Sequence, residues 1–169
     1  DQGVQSGLSG STAKKVLVDR YDRSRIRGFV QAQTLMQGGE LELLSTEGTV
    51  MRLPGGQVKS VSFVRDFEGP SIWEERREFL ARPKSPGLWV ELRFRDGGRL
   101  EGVIPNDLLL LEGSGVMVTP PDPTGNTQRV FAPRQSLAGA AVLGVIGATR
   151  RRTRRASGKE GQITLFGEG

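Results

Sequence analysis

Two stretches decide the fold: VLVDRYDRSRIRGFV (16–30) and VELRFRDGGRLEGVI (90–104). They align without a gap at an offset of 74 residues. Val16 meets Val90, Val18 meets Leu92, Asp22 meets Asp96, Arg25 meets Arg99, Ile26 meets Leu100, Gly28 meets Gly102 and Val30 meets Ile104. Each alternates apolar and polar residues, breaks at a polar turn (DRS or DGG), then alternates again. A period of two on both sides of a turn signal specifies a β-hairpin.

The flanks of the two hairpins also correspond. ELELLSTEGTVMRLP (40–54) reads strand, turn, strand, and GVMVTPPDPTGNTQRVFAP (115–133) reads strand, long Pro/Gly loop, strand. Each unit ends in an apolar strand after a proline turn, QVKSVSFV (57–64) and QSLAGAAVLGVI (135–146). About five short strands per unit favour closure into a small barrel, because closure removes exposed edges. The most apolar segment, LAGAAVLGVIGA (137–148), reads as a buried strand or two and is too short to cross a bilayer.

Between the units lies RDFEGPSIWEERREFLARPKSPG (65–87). Pro70 suits a helix start, Ile72, Trp73, Arg76, Phe79 and Leu80 fall on one face at 3.6 spacing, and Pro83 stops the run. The spacing predicts a short amphipathic helix over 71–81, with Trp73 and Phe79 packed on a barrel. The fold class is therefore all-β: two tandem five-stranded barrels joined by a short helix. The boundaries are a flexible N-terminal tail at 1–13, repeat 1 at 14–67, a helical linker at 68–87, repeat 2 at 88–148 and a disordered Arg-rich tail at 149–169. The first residues carry no signal-peptide pattern and no starting Met, as expected of a trimmed or processed chain.

Composition narrows the chemistry. The chain has no cysteine and no histidine, which removes disulfides, thiolate nucleophiles, Cys/His zinc sites and histidine-based triads. Its carboxylates stand in no metal or acid/base spacing, so the expectation is a binding protein, not an enzyme, with no cofactor and a cytoplasmic location. The net charge of +5 is unevenly placed. Arg150, Arg151, Arg152, Arg154, Arg155 and Lys159 are opposed by only Glu160 and Glu168, which leaves the body nearly neutral. A neutral body argues against a domain built to grip phosphate backbones, and a basic tail is a common way to add nucleic-acid affinity.

Val90, Leu92, Phe94, Asp96-Gly97, Leu100 and Gly102, followed by Val130-Phe131, Arg134, Ser136 and Leu137, resemble the Sm-like small β-barrel, an SH3-like fold. Repeat 1 departs from that pattern, with DRS for DG and LPGG (53–56) at the late turn. FVRDFEG (63–69) and the PPDP loop also look like a bacterial tandem-repeat family of unknown function. The Sm-like resemblance implies RNA binding, with Arg134 as a phosphate contact. Against it, Asn106 and Asp107 lie out of pattern, Gln135 replaces the usual glycine, and no stacking aromatic stands at these loops.

The chain ends RRTRRASGKEGQITLFGEG. Gln162-Ile163-Thr164-Leu165-Phe166 resembles the pentapeptide by which bacterial replication and repair proteins dock on the β sliding clamp; Gln162, Leu165 and Phe166 match and Ile163 and Thr164 are conservative departures. In that reading Leu165 and Phe166 fill an apolar cleft, Gln162 hydrogen-bonds beside it, and the arginines lie near the DNA. The segment is also a fair edge strand, and the arginines also suit a spacer or an acidic membrane surface. Three functions follow: a clamp-recruited DNA replication or repair accessory protein, an Sm-like RNA-binding protein, or a scaffold whose barrels bind another protein.

Overall fold

The computed structural model describes residues 13–147. Strands β1 (Ala13–Arg20), β2 (Arg25–Gln31), β3 (Met36–Gln37), β4 (Glu40–Ser45), β5 (Val50–Pro54) and β6 (Val58–Val64) form the first unit. Strands β7 (Gly87–Phe94), β8 (Arg99–Ile104), β9 (Gly115–Val118), β10 (Thr127–Pro133) and β11 (Leu137–Ile146) form the second. All pairings are antiparallel. Among the described residues there is no α-helix, only short 3-10 turns.

The repeat read from the sequence recurs in the strand register. Val16 faces Gly28 and Val18 faces Ile26 in the first hairpin; Val90 faces Gly102 and Leu92 faces Leu100 in the second. The first strand of each unit also pairs with its last, Val16 opposite Phe63 and Val90 opposite Val142. The Phe29–Leu44 pair of β2 and β4 returns as a single bridge between Val103 and Thr119. Counted without the two-residue β3, which only extends β4, each unit thus runs in the order fourth, third, second, first, fifth strand.

Local chemistry explains the shared hairpins. Asp22 Oδ1 accepts from the Ser24 amide at 2.9 Å, and Asp96 Oδ1 accepts from the Gly98 amide at 3.0 Å. Both turns need a left-handed residue next, and Gly97 (φ 92°) supplies it freely where Arg23 (φ 74°) is strained. Gly28 and Gly102 let the third strand come close. A Cβ on Gly28 would sit 2.5 Å from Leu43 Cδ1 and 2.7 Å from the Leu44 carbonyl; on Gly102, 2.8 Å from Val118 Cβ and 2.9 Å from the Thr119 carbonyl.

Two cores result. One gathers Val16, Val18, Val30, Leu41, Leu43, Val58 and Val61; the other gathers Leu88, Val90, Leu92, Phe94, Leu100, Ile104, Val116 and Val130. The units are fused by β6 and β10, which pair with Val61 opposite Phe131, Ser62 opposite Val130 and Phe63 opposite Arg129. Phe131, from the second unit, belongs to the first unit's core.

Two expectations are corrected. The helix over 71–81 is a single 3-10 turn, Ile72–Glu74, capped by Ser71 and Glu74. Beyond it the chain extends, and from Trp73 to Leu80 half-buried and exposed residues alternate. Extension wins because the inward positions find partners only in that form. Glu75 accepts from the amides of Asn126 and Thr127 at 2.8 and 3.1 Å, Arg77 lies 5.1 Å from the Trp73 ring, and the Arg77 carbonyl accepts from Glu101 N at 2.8 Å. A helix this short gains too little from its own hydrogen bonds to compete. Trp73 and Phe79 do pack on the second unit, edge-on to Phe94 (5.0 Å) and Trp89 (6.1 Å).

The apolar segment at 137–148 forms one strand, β11, through Ile146, but that strand is not buried: Val142 is 43% and Val145 is 55% exposed. β6 is buried because β10 covers its outer edge, whereas β11 pairs only with β7 among the described residues.

Close packing makes the two strand glycines the sharpest test of this architecture. Gly28→Ala and Gly102→Ala should each destabilise the protein by about 1–3 kcal/mol. Gly56→Ala, where a Cβ would meet nothing within 4 Å, should leave the thermal midpoint within a degree or two. Equal midpoints for all three variants would contradict the register.

Candidate functional surfaces

The fusion of the units builds a polar seam beneath an apolar strand. Ser60 and Ser62 of β6 are fully buried, and each side chain accepts from the linker: Ser60 from the Trp73 indole at 2.8 Å, Ser62 from the Ile72 amide at 3.1 Å. Ser136, buried in the 3-10 turn Arg134–Ser136, donates to the Lys59 carbonyl at 2.7 Å and lies 2.6 Å from the Tyr21 hydroxyl. Lys59 stands 3.8 Å over the Trp73 ring and 2.7 Å from Asp96. Arg95 reaches the Gly56 carbonyl at 2.6 Å and stacks 4.3 Å over Tyr21. Hydrogen-bonded serines at a strand face fix orientation, because an unpaired buried hydroxyl is costly.

A second polar cluster ties the first hairpin to the linker. Arg25 donates to Asp19 at 2.6 Å, to Glu74 at 2.8 Å and to Ser71 at 3.0 Å. The Arg25 hydrogen bond holds the Glu74 carboxyl below its ordinary value against the opposing effect of burial, and Glu74 in turn raises Arg25. Asp96 is pushed up by burial, yet the hydrogen bonds from Lys59 and the Gly98 amide outweigh this and hold it below the ordinary carboxylate value. These groups serve structure: each is engaged by a neighbour of the fold.

Of the site residues read from the sequence, Arg134 lies among the described residues. Its guanidinium donates to the carbonyls of Gly113 (3.0 Å) and Leu111, so it fastens the 105–114 loop. Arg150, Arg151, Arg152, Arg154, Arg155, Lys159, Gln162, Ile163, Leu165 and Phe166 lie outside the described residues. The structure adds a surface that sequence reading missed. In the 3-10 turn Leu108–Leu111, Leu108 is 60% and Leu109 is 69% exposed, beside the Arg134-anchored carbonyls. The signal was present as four leucines between Asp107 and Glu112, where Asp107 accepts from the Leu109 amide at 3.0 Å and starts the turn. An open groove of about 680 Å³ lies on another face, lined by Phe79, Leu80, Arg82, Pro86, Pro105 and Pro120.

Among the described residues no group of three or more Asp or Glu is placed to hold a metal ion, and no helix is long and apolar enough to cross a membrane. Residues 12–144 match the model of a family of unknown function, DUF6982, and the chain belongs to that family. No curated protein and no solved structure matches it.

Glu74 and Asp96, two of the four carboxylates held below their ordinary values among the described residues, contribute a pH dependence. A carboxylate with a lowered pKa in the fold contributes stability above its unfolded value and loses it as pH falls. The ordinary values are 4.5 for Glu74 and 3.8 for Asp96. The thermal midpoint should therefore hold from pH 7 to about 5 and drop below that, with a smaller drop in Glu74→Gln. An unchanged acid limb in Glu74→Gln would remove Glu74 from this role.

Proposed function

We propose that the chain is a non-catalytic binding module: two Sm-like barrels fused edge to edge, carrying a segment that docks on the bacterial β sliding clamp. Gln162, Ile163, Leu165 and Phe166 make the docking contacts, and Arg150, Arg151, Arg152, Arg154, Arg155 and Lys159 lie against DNA. The observation that carries this reading is the spacing Gln162-x-x-Leu165-Phe166, separated by six residues from the end of the arginine run at Arg155. An extended peptide that buries two such side chains gains roughly 3–6 kcal/mol before ordering costs, which suits a transient micromolar contact. The arginines near it add affinity through counterion release.

The body supports a carrier role. Arg25, Arg65, Arg95 and Arg134 each donate to groups of the fold, which engages these four guanidinium groups within the body. Sm-like RNA binding is the second reading. The shared strand order favours it, but its phosphate contact, Arg134, is occupied by the Leu111 and Gly113 carbonyls.

Titration of the full chain against a bacterial sliding clamp should give micromolar binding. Leu165→Ala with Phe166→Ala should weaken it about 100-fold or more, and Arg134→Ala should leave it unchanged. No binding at high clamp concentration, or RNA binding that is lost in Arg134→Ala and kept in the tail variant, would overturn the clamp reading in favour of the barrels.

A further inference from the structure

The junction between the units is half of a pair. β6, the fifth strand of the first unit, is covered by β10, the fourth strand of the second. Their counterparts are β11, the fifth strand of the second unit, and β5, the fourth strand of the first. These two stand at opposite ends of the pairing order, and among the described residues each pairs on one side only, β5 with β4 and β11 with β7. We propose that β11 of one chain pairs with β5 of a second copy, reproducing between chains the contact that β6 and β10 make within one.

The correspondence is fixed by register. Met51 faces Leu43 as Val130 faces Val118, so Val50, Met51 and Arg52 are the counterparts of Arg129, Val130 and Phe131. Val61 and Phe63 face Val18 and Val16, and Ala140 and Val142 face the equivalent Leu92 and Val90, so Ala140, Ala141 and Val142 are the counterparts of Val61, Ser62 and Phe63. Transferring the internal pairs Phe131–Val61, Val130–Ser62 and Arg129–Phe63 gives Arg52–Ala140, Met51–Ala141 and Val50–Val142 between chains.

The exposed surfaces fit this partner. β11 is ten residues long and carries no charge, proline or bulky polar side chain to guard its edge. Long, uncharged, apolar edges are the ones that pair with another chain. Val50 (36% exposed) and Val142 (43% exposed) are opposite each other in the transferred register and would bury one another. A Cβ on Gly139, the counterpart of the fully buried Ser60, would meet nothing within 4 Å, so the sheet face that the linker covers in the first unit is open here, and the lateral edge of β11 pairs with no other strand among the described residues. The two edges are different surfaces, so the contact is head-to-tail, and it either closes on itself or grows with concentration. This inference does not depend on the clamp reading.

The absence of cysteine makes the register directly readable. Facing Cα atoms in antiparallel strands lie at about 4.5–5.5 Å, within disulfide reach. The full chain carrying Val50→Cys and Val142→Cys should form reducible covalent multimers under mild oxidation. Each single variant should give no ladder beyond a dimer, and the displaced pair Val50→Cys with Ala138→Cys should give far less. Sedimentation of the unaltered full chain should show species above 18.4 kDa that Val142→Lys returns to monomer while its thermal midpoint stays close to that of the unaltered chain. A chain that sediments as a monomer at hundreds of micromolar, or cross-links as well in the displaced pair, would overturn the proposal.

Discussion

The structure depends on one strand pairing, β6 against β10. Without it each five-stranded unit would expose a strand edge in the middle of the chain, and Phe131 would leave the first unit's core. With it, β6 is flanked by β1 on one side and β10 on the other, and six of its seven residues, all but Lys59, are buried. The polar seam follows from this burial. Ser60 and Ser62 sit in a strand now closed to water, so their hydroxyls must find partners, and the linker supplies the Trp73 indole and the Ile72 amide. The linker's path beyond the Ile72–Glu74 turn is extended because a helix through 75–81 would turn the Glu75 carboxylate and the Arg77 carbonyl away from the amides they accept from.

The two units show how one pattern is tuned to two surroundings. Hairpin register, the strand glycines, the proline before the last 3-10 turn and the first-to-last strand pairing are common to both. The last strands differ where their neighbours differ. β6 carries Ser, Val, Ser, Phe against a partner and a linker; β11 carries Gly, Ala, Ala, Val at the corresponding places, with small side chains facing an open edge. Loops differ as well: 105–114 presents leucines held by Arg134, whereas the first unit's shorter 32–39 connection tucks Leu35 into the core.

Much of this fold was legible in the sequence, for a physical reason. Period-two alternation and an Asp-led turn fix a hairpin locally, and a repeated hairpin at constant offset leaves little freedom to the rest. The 71–81 segment misled because Ile72, Trp73, Arg76, Phe79 and Leu80 fit a helical face while Trp73, Glu75, Arg77 and Phe79 fit an extended one. The choice lies with Asn126, Thr127 and Glu101, which are distant in the chain. The openness of β11 was equally hidden, since an apolar run reads as buried until its neighbours are known. Of the site residues, Arg134 could be placed by its turn, but its bonds to Gly113 and Leu111 depend on a loop 21 and 23 residues earlier in the chain.

Amide hydrogen exchange on the full chain tests the central pairing most directly. The account predicts that the amides of Val61, Ser62 and Phe63, and of Arg129, Val130 and Phe131, exchange as slowly as those of β1, because both strands lie inside one sheet. If those of β6 and β10 exchange as fast as the turn at 21–24 while β1 remains protected, the units do not share a sheet and the account fails.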